Sequence, residues 1–367
     1  MSYILNLAFL VLIFVSMFYG QRIQAYRSLK SIEAALEKLK RWNRRCKDLV
    51  IAKIQALNPT TPKEIEERLE EFMTFVAIPP TSLDPAGIVE KLDHVVDVRD
   101  DRFEEQVEEL APEGDPVQKK NLENLLEAGM AVDQVYRVLR HFYILGKKTK
   151  SLVVLMQVEM QLGLIMALAK SYKKAAQAFS DGTPIGDSLG PMVAASFVRA
   201  VVKGDPSDVE VHEADKDTIY QEVTFEGRRV LVVRAKGPGG SVGKPGRVIK
   251  RLVEKYADSL ERVIMVDAGL KMEGDKTGSI AVGVGAAIGG VGVEKFRIEE
   301  SVTRRKVPID AIICRQSLED AITTMKKPIA QSVPLIVKKV LESIRKRTGP
   351  KATVIVAGIG NTMGVGI

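Results

Sequence analysis

The first twenty-one residues most strongly constrain how this chain can fold, because none of them carries a charged side chain. From Tyr3 to Tyr19 the seventeen residues are almost entirely apolar. As a helix they would reach about 25 Å, close to the roughly 30 Å core of a bilayer, and the tyrosines suit the two interfaces. A cleaved signal peptide would start with a basic segment and end at small residues, and neither is present. We expect residues 1–20 to form a retained transmembrane anchor.

The segment after the apolar run sets its orientation. Residues 21–50 contain nine Lys or Arg and three acids, a net charge of +6, whereas the whole chain of 367 residues carries +7. The positive-inside rule places this segment and everything after it in the cytoplasm, and the cluster also attracts anionic lipid. We therefore expect a single-pass protein of the cell membrane with its N-terminus outside. Nucleic-acid binding is disfavoured, because the basic segment contains no nucleic-acid-binding motif.

A helical region of residues 21–180 is expected next. Apolar residues recur at helical spacing between Leu29 and Leu39, which predicts a helix that continues out of the membrane to about residue 57. Residues 62–127 contain 19 acids and 7 bases, a net charge of −12, in helical patterns. An acidic helix in this region would have a partner in the basic juxtamembrane helix.

A second apolar run, Leu152–Ala169, leaves two interpretations open. As a membrane span it would bury the carboxylate of Glu159 at mid-depth, which costs at least about 2–3 kcal/mol. We therefore favour a buried core helix or a contact between copies of the chain, and we expect a homo-oligomer. A second membrane span is the alternative.

The chain changes character after about residue 181. Glycine becomes frequent, and short β-branched runs alternate with helical patterns at 246–257, 318–325 and 328–347. Glu226-Gly227, between the first two runs, is typical of a hairpin turn. The alternation predicts a three-layer α/β domain with a mostly parallel, twisted sheet over residues 181–367. The expected strands are IYQEVTF, RRVLVVRA, RVIMVD, GSIAVGV, IDAIIC and ATVIVAG.

The tetrapeptide Gly186-Asp187-Ser188-Leu189 spells the motif that names the GDSL esterases. A serine hydrolase needs a base and an acid that orients it, and those esterases draw both from an Asp-x-x-His near the C-terminus. None of the three histidines here follows residue 212 or has an Asp three residues before it. We therefore do not expect Ser188 to be a nucleophile.

Two acids remain as candidates for chemistry. Asp187 precedes the apolar stretch that begins at Leu189, with Pro191 in the first turn of the expected helix, so capping that helix is its ordinary role. Asp267 follows the buried strand Arg262–Val266, at the carboxyl end where α/β sheets collect reacting groups, although it too could cap the next turn. Two such acids in one cleft would share a proton or hold a polarised water.

Three blocks resemble the spore germination protease and its relatives, a superfamily that includes the hydrogenase maturation proteases. IGDSLGPMVAA is similar to their Gly/Pro-Asp-x-Leu-Gly-Pro element, and VIMVDAGLKMEGDKTGSIAVGVGAAIGGVGVEK is similar to their strand-Asp-Ala segment with its Gly-rich turn. The final ATVIVAGIGNTMGVGI looks like their first strand and Gly-x-Gly-Asn, displaced to the C-terminus by circular permutation. The resemblance implies a twisted sheet between helices, with Ala352–Ala357 parallel to Arg262–Val266.

The resemblance also implies which residues would act. Asp187 and Asp267 match the two acidic positions, and Lys295 matches a lysine common in the spore-type branch. The cleft would be formed by Gly186, Gly190, Gly358, Gly360 and Asn361. Hydrogenase maturation proteases hold nickel with two acids and a later histidine, and no histidine follows His212 here. We therefore expect no cofactor, and a divalent metal held by the two acids is the disfavoured alternative.

Two functional hypotheses follow. One is a membrane-anchored cytoplasmic peptidase-like hydrolase, in which the acid pair activates a water against a peptide or protein substrate. The other is a non-catalytic, oligomeric scaffold at the membrane built on a degenerate peptidase-like domain, because a permuted chain can keep the fold and lose the activity. The order of anchor, helical region and permuted domain also resembles an archaeal family of membrane proteins with no assigned function.

Overall fold

The computed structural model describes residues 2–58, 62–81, 87–290 and 292–366. The chain divides into two compact units, one of residues 1–50 and 126–176 and the other of residues 51–125 and 177–367. Its helices are α1 (Ser2–Gln55), α2 (Pro62–Phe72), α3 (Ile88–Leu110), α4 (Pro116–Thr149), α5 (Leu152–Asp181), α6 (Leu189–Val201), α7 (Pro245–Lys255), α8 (Val293–Arg305), α9 (Leu318–Ile322) and α10 (Lys327–Arg347). Its strands are β1 (Val211–Asp215), β2 (Thr218–Phe225), β3 (Arg228–Ala235), β4 (Leu260–Leu270), β5 (Ile280–Val284), β6 (Ile309–Gln316) and β7 (Thr353–Gly358).

One continuous helix, α1, contains both the expected anchor and the basic segment that follows it. The helix ends at Gln55, close to the residue 57 expected from the sequence. The large apolar side chains described between Leu5 and Tyr19 are 43–68 % exposed. Several other side chains of residues 1–20 lie outside the described part of the chain, and the assignment of this segment to the membrane stays a prediction.

In the first unit, α1, α4 and α5 pack around a shared apolar core. The helical stripe expected from the sequence is confirmed, because Ile32 and Leu39 are fully buried against Leu139 and Leu155. In contrast, α5 is less enclosed than the core helix that we favoured, since only 17 % of its most apolar stretch is buried. Among the described residues it is the one helix whose length and composition would allow it to cross a membrane.

The second unit contains a seven-stranded sheet in the order β1-β2-β3-β7-β4-β6-β5. The central strands β3, β7, β4 and β6 are parallel, whereas β1–β2, β2–β3 and β5–β6 pair antiparallel. The sheet is therefore mixed, and the expectation of a mostly parallel sheet is wrong. The hairpin expected at Glu226-Gly227 is confirmed: a two-residue turn with positive φ at both residues joins β2 and β3, which are therefore antiparallel.

Helices cover both faces of this sheet, as expected for three layers. One face packs against α6 and α10 through residues such as Val232, Ile264 and Val356. The other face packs against α7 and α8 through the alternate residues, such as Val233, Met265 and Ala357. Because successive side chains of a strand point to opposite faces, the middle of each central strand must be apolar on both faces, as residues 230–233, 263–266 and 354–357 are.

The C-terminal strand β7 lies in the middle of the sheet between β3 and β4. It pairs in parallel with β4, with Arg262 opposite Val354 and Val266 opposite Gly358. This confirms that the C-terminal strand lies parallel to Arg262–Val266, as the permuted arrangement predicts. The strand β7 is thus the central strand of the sheet, and the turn after Gly358 lies at the carboxyl edge of the sheet.

The acidic helix α3 pairs with the basic side chains of the α/β layer. Arg247 of α7 lies 2.8 Å from Asp93 and 2.5 Å from Asp97, and Lys244 lies 2.8 Å from Asp100. The sequence had suggested the juxtamembrane helix as the partner of this acidic region. The structure gives these acids partners on α7 and the loop before it, within the second unit.

Candidate active site

Asp187 lies in a short 3₁₀ turn, Gly186–Ser188, directly before α6. Its side chain does not cap the helix. Instead Oδ2 accepts a hydrogen bond of 2.8 Å from the backbone N–H of Asn361 in the C-terminal turn. Burial raises the pKa of Asp187, and the Asn361 hydrogen bond opposes that rise. The ordinary role expected for Asp187, capping α6, is therefore not the one that its carboxylate performs.

Asp267 lies inside β4, which continues three residues beyond it to Leu270. The residue is only 8 % exposed, and its Oδ1 accepts a hydrogen bond of 2.7 Å from the N–H of Ala268. Burial is the main cause that raises its pKa to about 8, and the negative charge of Asp187 is the second. The two acids therefore lie close enough at the carboxyl edge of the sheet for one charge to affect the other.

The glycines of the site allow backbone segments to touch. A Cβ atom on Gly190 would overlap the carbonyl oxygen of Ile359, and one on Gly358 would overlap the carbonyl oxygen of Gly190. Gly360 has φ +131° and packs against the backbone of Asp187, so a side chain there would be both strained and blocked. The start of α6 and the end of β7 thus meet backbone to backbone, as expected for the Gly358–Asn361 turn.

Asn361 fixes this turn from several directions. Its Nδ2 donates to Oδ1 of Asn124 on α4 at 2.9 Å, and its own Oδ1 accepts from the N–H of Met363 at 2.9 Å. Asn124 also donates to the carbonyl of Gly240 at 2.7 Å. The contribution of Asn124 was not expected, because nothing near it in the sequence indicates that the first turns of α4 reach the site.

Gln316 is a second residue that the sequence did not reveal. It ends β6, the strand beside β4, and is 2 % exposed. Neither its amide oxygen nor its amide nitrogen has a hydrogen-bond partner among the described residues. A Cβ atom on Gly186 would lie 2.5 Å from Oε1, which places this free amide against the turn that carries Asp187. The available signal was its position, a polar residue at the carboxyl end of a buried strand.

Lys295 lies elsewhere on the surface of α8. The side chain is exposed, and its ammonium group is 3.9 Å from Glu299 one turn along the helix. It is not among the charges that shift the pKa of Asp187 or Asp267. The structure therefore brings together the two acids, the four glycines and Asn361, while a role for Lys295 stays a prediction.

Ser188 is fully buried and bonds only with backbone groups among its hydrogen-bond partners. Its Oγ accepts from the N–H of Ile185 at 3.3 Å and donates to the carbonyl of Met363 at 3.4 Å. This hydroxyl joins the acid-bearing turn to the C-terminal loop. The geometry agrees with the expectation that the esterase-like tetrapeptide does not mark a nucleophile.

The Gly-rich loop between Lys236 and Gly246 contacts the C-terminal turn that holds Asp187. Thr362 Oγ1 donates to the carbonyl of Gly239 at 2.7 Å, which ties the loop to the C-terminal turn. The two lysines of the loop are paired, Lys236 with Glu213 and Lys244 with acids of α3. With its cations neutralised in this way, the loop is suited to hold the C-terminal turn in place.

Within the described residues, no three His, Cys, Asp or Glu side chains converge to hold a metal ion. Two carboxylates are a sparse ligand set for Ca²⁺, which takes six to eight oxygen ligands. The expectation that the site holds no metal stays a prediction.

Comparison with protein families covers both halves of the chain. Residues 6–182 match the family described as "Protein of unknown function (DUF1512) N-terminal domain", and residues 185–366 match "Domain of unknown function (DUF1512) C-terminal". The curated proteins contain no match to the chain. The junction of the two matched regions falls between the end of α5 and the turn that carries Asp187. Since the matches span nearly all of its residues, the chain belongs to the DUF1512 family.

Proposed function

We propose that this chain is a membrane-anchored cytoplasmic hydrolase of the peptidase type, in which Asp187 and Asp267 act together on a water molecule. The observation that supports it best is the electrostatic coupling of the two acids. They lie 80 residues apart in the sequence, yet the charge of one raises the pKa of the other. Acids whose pKa values are strongly perturbed by burial and by a neighbouring charge cluster at functional sites.

The protonation of the pair suits acid–base catalysis. With a pKa of about 8, Asp267 holds its proton at neutral pH, and burial disfavours ionisation of Asp187 as well. Close carboxyl groups of this kind hold one proton between them, so one acid is charged while the other is neutral. The ionised carboxylate takes a proton from water as its oxygen attacks the peptide carbonyl carbon. The protonated acid gives its proton to the amide nitrogen as the C–N bond breaks.

The backbone around the pair supports this chemistry. The turn Gly186–Ser188, which carries Asp187, directly precedes α6, and the dipole of this helix places partial positive charge beside the acid. Partial positive charge at this position stabilises the negative oxygen that develops on an attacked carbonyl. The hydrogen bonds from Asn361 and Ala268 orient the two carboxyl groups.

The peptide as substrate class and the membrane as location rest on the sequence. The resemblance of the three blocks to the germination protease suggests a peptide bond as the target. The uncharged segment of residues 1–21 and the basic residues after it support a single-pass anchor, with the acids in the cytoplasm.

The test uses the full chain in detergent micelles and a peptide library prepared from a whole proteome. New N-termini are counted by mass spectrometry for the wild type, Asp187→Asn, Asp267→Asn and the double variant. Because acid–base catalysis typically contributes at least about 100-fold, we expect each single variant to lose that much of the cleavage rate. Asp258→Asn, which alters an exposed turn, is the matched control. Equal cleavage by the wild type and the double variant would exclude the proposal.

A second candidate, the non-catalytic scaffold, is favoured by the apolar surface of the first unit. On α5, Val153, Met160 and Leu164 are 65 %, 81 % and 77 % exposed. A groove of about 420 Å³ between α4 and α5 is lined mainly by apolar side chains. The molecular mass of the chain in detergent, from light scattering corrected for bound detergent, distinguishes the two: a monomer would count against assembly.

A further inference from the structure

The three helices of the first unit are held in a defined register by side-chain contacts. Nε2 of Gln24 lies 3.6 Å from Sδ of Met156, and Oγ of Ser28 donates to Oε2 of Glu159 at 2.5 Å. Further along, the ammonium of Lys173 lies over the ring of Trp42. Residue numbers rise together in these contacts, so α5 runs parallel to α1. With a rise of 1.5 Å per residue, the first residue of α5 lies about level with Gly20.

Helix α4 runs the opposite way along α1. Nδ2 of Asn43 donates to Oδ1 of Asp133 at 2.6 Å, and the hydroxyl of Tyr143 lies 3.4 Å from Oε1 of Glu33. The same rise per residue places the end of α4 about level with residue 27 of α1. The α4–α5 turn, which we define as residues 142–153, therefore lies beside the part of α1 that directly follows the apolar run Tyr3–Tyr19.

The charged residues around this turn are mostly basic, with Glu33 beside Tyr143 and Glu159 beside Ser28 as neighbouring acids. Residues 134–158 contain five Lys or Arg and no Asp or Glu, and residues 1–32 contain three Lys or Arg and no Asp or Glu. Lys147, Lys148 and Lys150 of the turn are all exposed, and so are Arg22 and Arg27 on α1. The fold thus adds a second basic segment, distant in sequence, to the juxtamembrane cluster of α1.

Apolar side chains lie among these cations. In the α4–α5 turn, Phe142 is 42 % exposed and Val153 is 65 % exposed, and on α1 Ile23 and Tyr26 are 55 % and 62 % exposed. Exposed apolar and aromatic side chains beside lysines are the composition of surfaces that lie in the headgroup region of a bilayer. A predominantly basic surface is attracted to anionic lipid in particular.

We propose that the α4–α5 turn is a second membrane contact, which binds anionic phospholipid headgroups through Lys147, Lys148 and Lys150 and inserts Phe142 and Val153 at the interface. The proposal rests on the N-terminal anchor of the proposed function, because the anchor determines which end of the first unit faces the bilayer. It does not depend on the acid pair. It gives the exposed start of α5 a role at the membrane surface that does not require α5 to span the membrane.

The experiment places a fluorophore on Val153→Cys in the full chain, reconstituted in nanodiscs of phosphatidylcholine with or without phosphatidylglycerol. The native thiols of Cys46 and Cys314 are fully buried, so the label goes to the new cysteine. Quenching by lipids that carry a nitroxide on the headgroup reports contact with the interface. Glu37→Cys, on an exposed face of α1 farther along the helix, is the control position.

We expect quenching at Val153→Cys only when phosphatidylglycerol is present, and none at the control position. Each basic residue near an anionic surface contributes roughly fivefold to binding, so the triple reversal Lys147→Glu, Lys148→Glu and Lys150→Glu should lower the ratio of contacting to free turn at least about tenfold. The same reversal at Lys338, Lys339 and Lys346, exposed on α10, is the matched control and should change nothing.

Three outcomes would overturn the proposal, and they differ in what else they exclude. If the chain stays in the membrane at high salt but Val153→Cys is not quenched, the second membrane contact is excluded and the proposed anchor is not. Equal quenching with and without phosphatidylglycerol would remove the lipid preference. If the chain does not float with vesicles of either composition, the proposed anchor is excluded together with the second contact. Loss of peptide cleavage alone would concern the acid pair and not this surface.

Discussion

Replacing Asp267 by asparagine should stabilise the second unit at alkaline pH, although most substitutions of buried residues destabilise. Asparagine has nearly the same shape, and its amide oxygen can still accept the N–H of Ala268. The exchange removes a group whose ionised form is disfavoured in the fold. Burial, and secondly the charge of Asp187, raise the pKa of Asp267 from the ordinary 3.8 to about 8.

The direction of the effect follows from proton binding. Between about pH 4 and pH 8 the folded chain holds a proton that the unfolded chain has lost, so the free energy of unfolding falls as the pH rises. The fall is about 1.4 kcal/mol per pH unit, which gives an upper bound of roughly 6 kcal/mol over the whole window. The Asp267→Asn variant lacks this contribution, so its advantage over the wild type should grow from near zero at acid pH to a few kcal/mol above pH 8.

The measurement is urea unfolding of the full chain in detergent, followed by far-ultraviolet circular dichroism near pH 5 and near pH 9. Asp258→Asn, on an exposed turn, controls for the loss of one carboxyl group. Asp187→Asn should give part of the same alkaline gain, because removing its charge lowers the pKa of Asp267. If the free energies of unfolding of Asp267→Asn and the wild type differ by the same amount at both pH values, the pKa of Asp267 is not raised by the fold. The coupling of the two acids is then refuted.

Three further predictions concern the scaffold of the site and the thiols. Gly190→Ala should destabilise the chain by about 2–3 kcal/mol in urea unfolding, because the added Cβ would overlap the carbonyl of Ile359. The control is Gly283→Ala, where an added Cβ would have nothing within 4 Å. This control should cost well under 1 kcal/mol. Arg247→Gln breaks the ion pairs with Asp93 and Asp97, so it should increase hydrogen exchange in the first half of α3. It should also lower the free energy of unfolding by about 1–2 kcal/mol at low salt, and this loss should shrink at high salt. Cys46 should not react with a thiol reagent until the chain unfolds, because it is fully buried and burial raises its pKa to about 11; rapid reaction in the folded chain would contradict this placement.

Much of the second unit could be predicted because its signals are local. Runs of β-branched residues, glycine turns and helical periodicity gave six of the strands and the helices α7 and α10. Strand β1, Val211–Asp215, was missed because its sequence, VHEAD, is polar and its side chains are only partly buried at the sheet edge. The antiparallel pair β2–β3 was expected from the hairpin turn at Glu226-Gly227, whereas the antiparallel direction of β5 was missed, because it depends on which strand β5 meets in the sheet.

The candidate site divides in the same way. Asp187 and Asp267 were named from their places before a helix and at the end of a strand, and the glycines from the resemblance to the germination protease. Asn124 and Gln316 were not found, because the contact of each with the site is made by segments far away in the sequence. For Gln316 the sequence does carry a signal, because it is a polar residue at the end of a buried strand.

The sequence by itself determined the features that depend on neighbouring residues: the uncharged segment at the N-terminus, the basic stretch after it, the helix of the first fifty-five residues and the alternation of strands with helices. Only the tertiary structure decided that β7 fills the centre of the sheet, that Asp187 accepts a hydrogen bond from Asn361 instead of capping α6, and that its charge raises the pKa of Asp267. The physical reason is that a pKa depends on burial and on the distance to other charges, and both arise only when segments 80 to 170 residues apart are packed together.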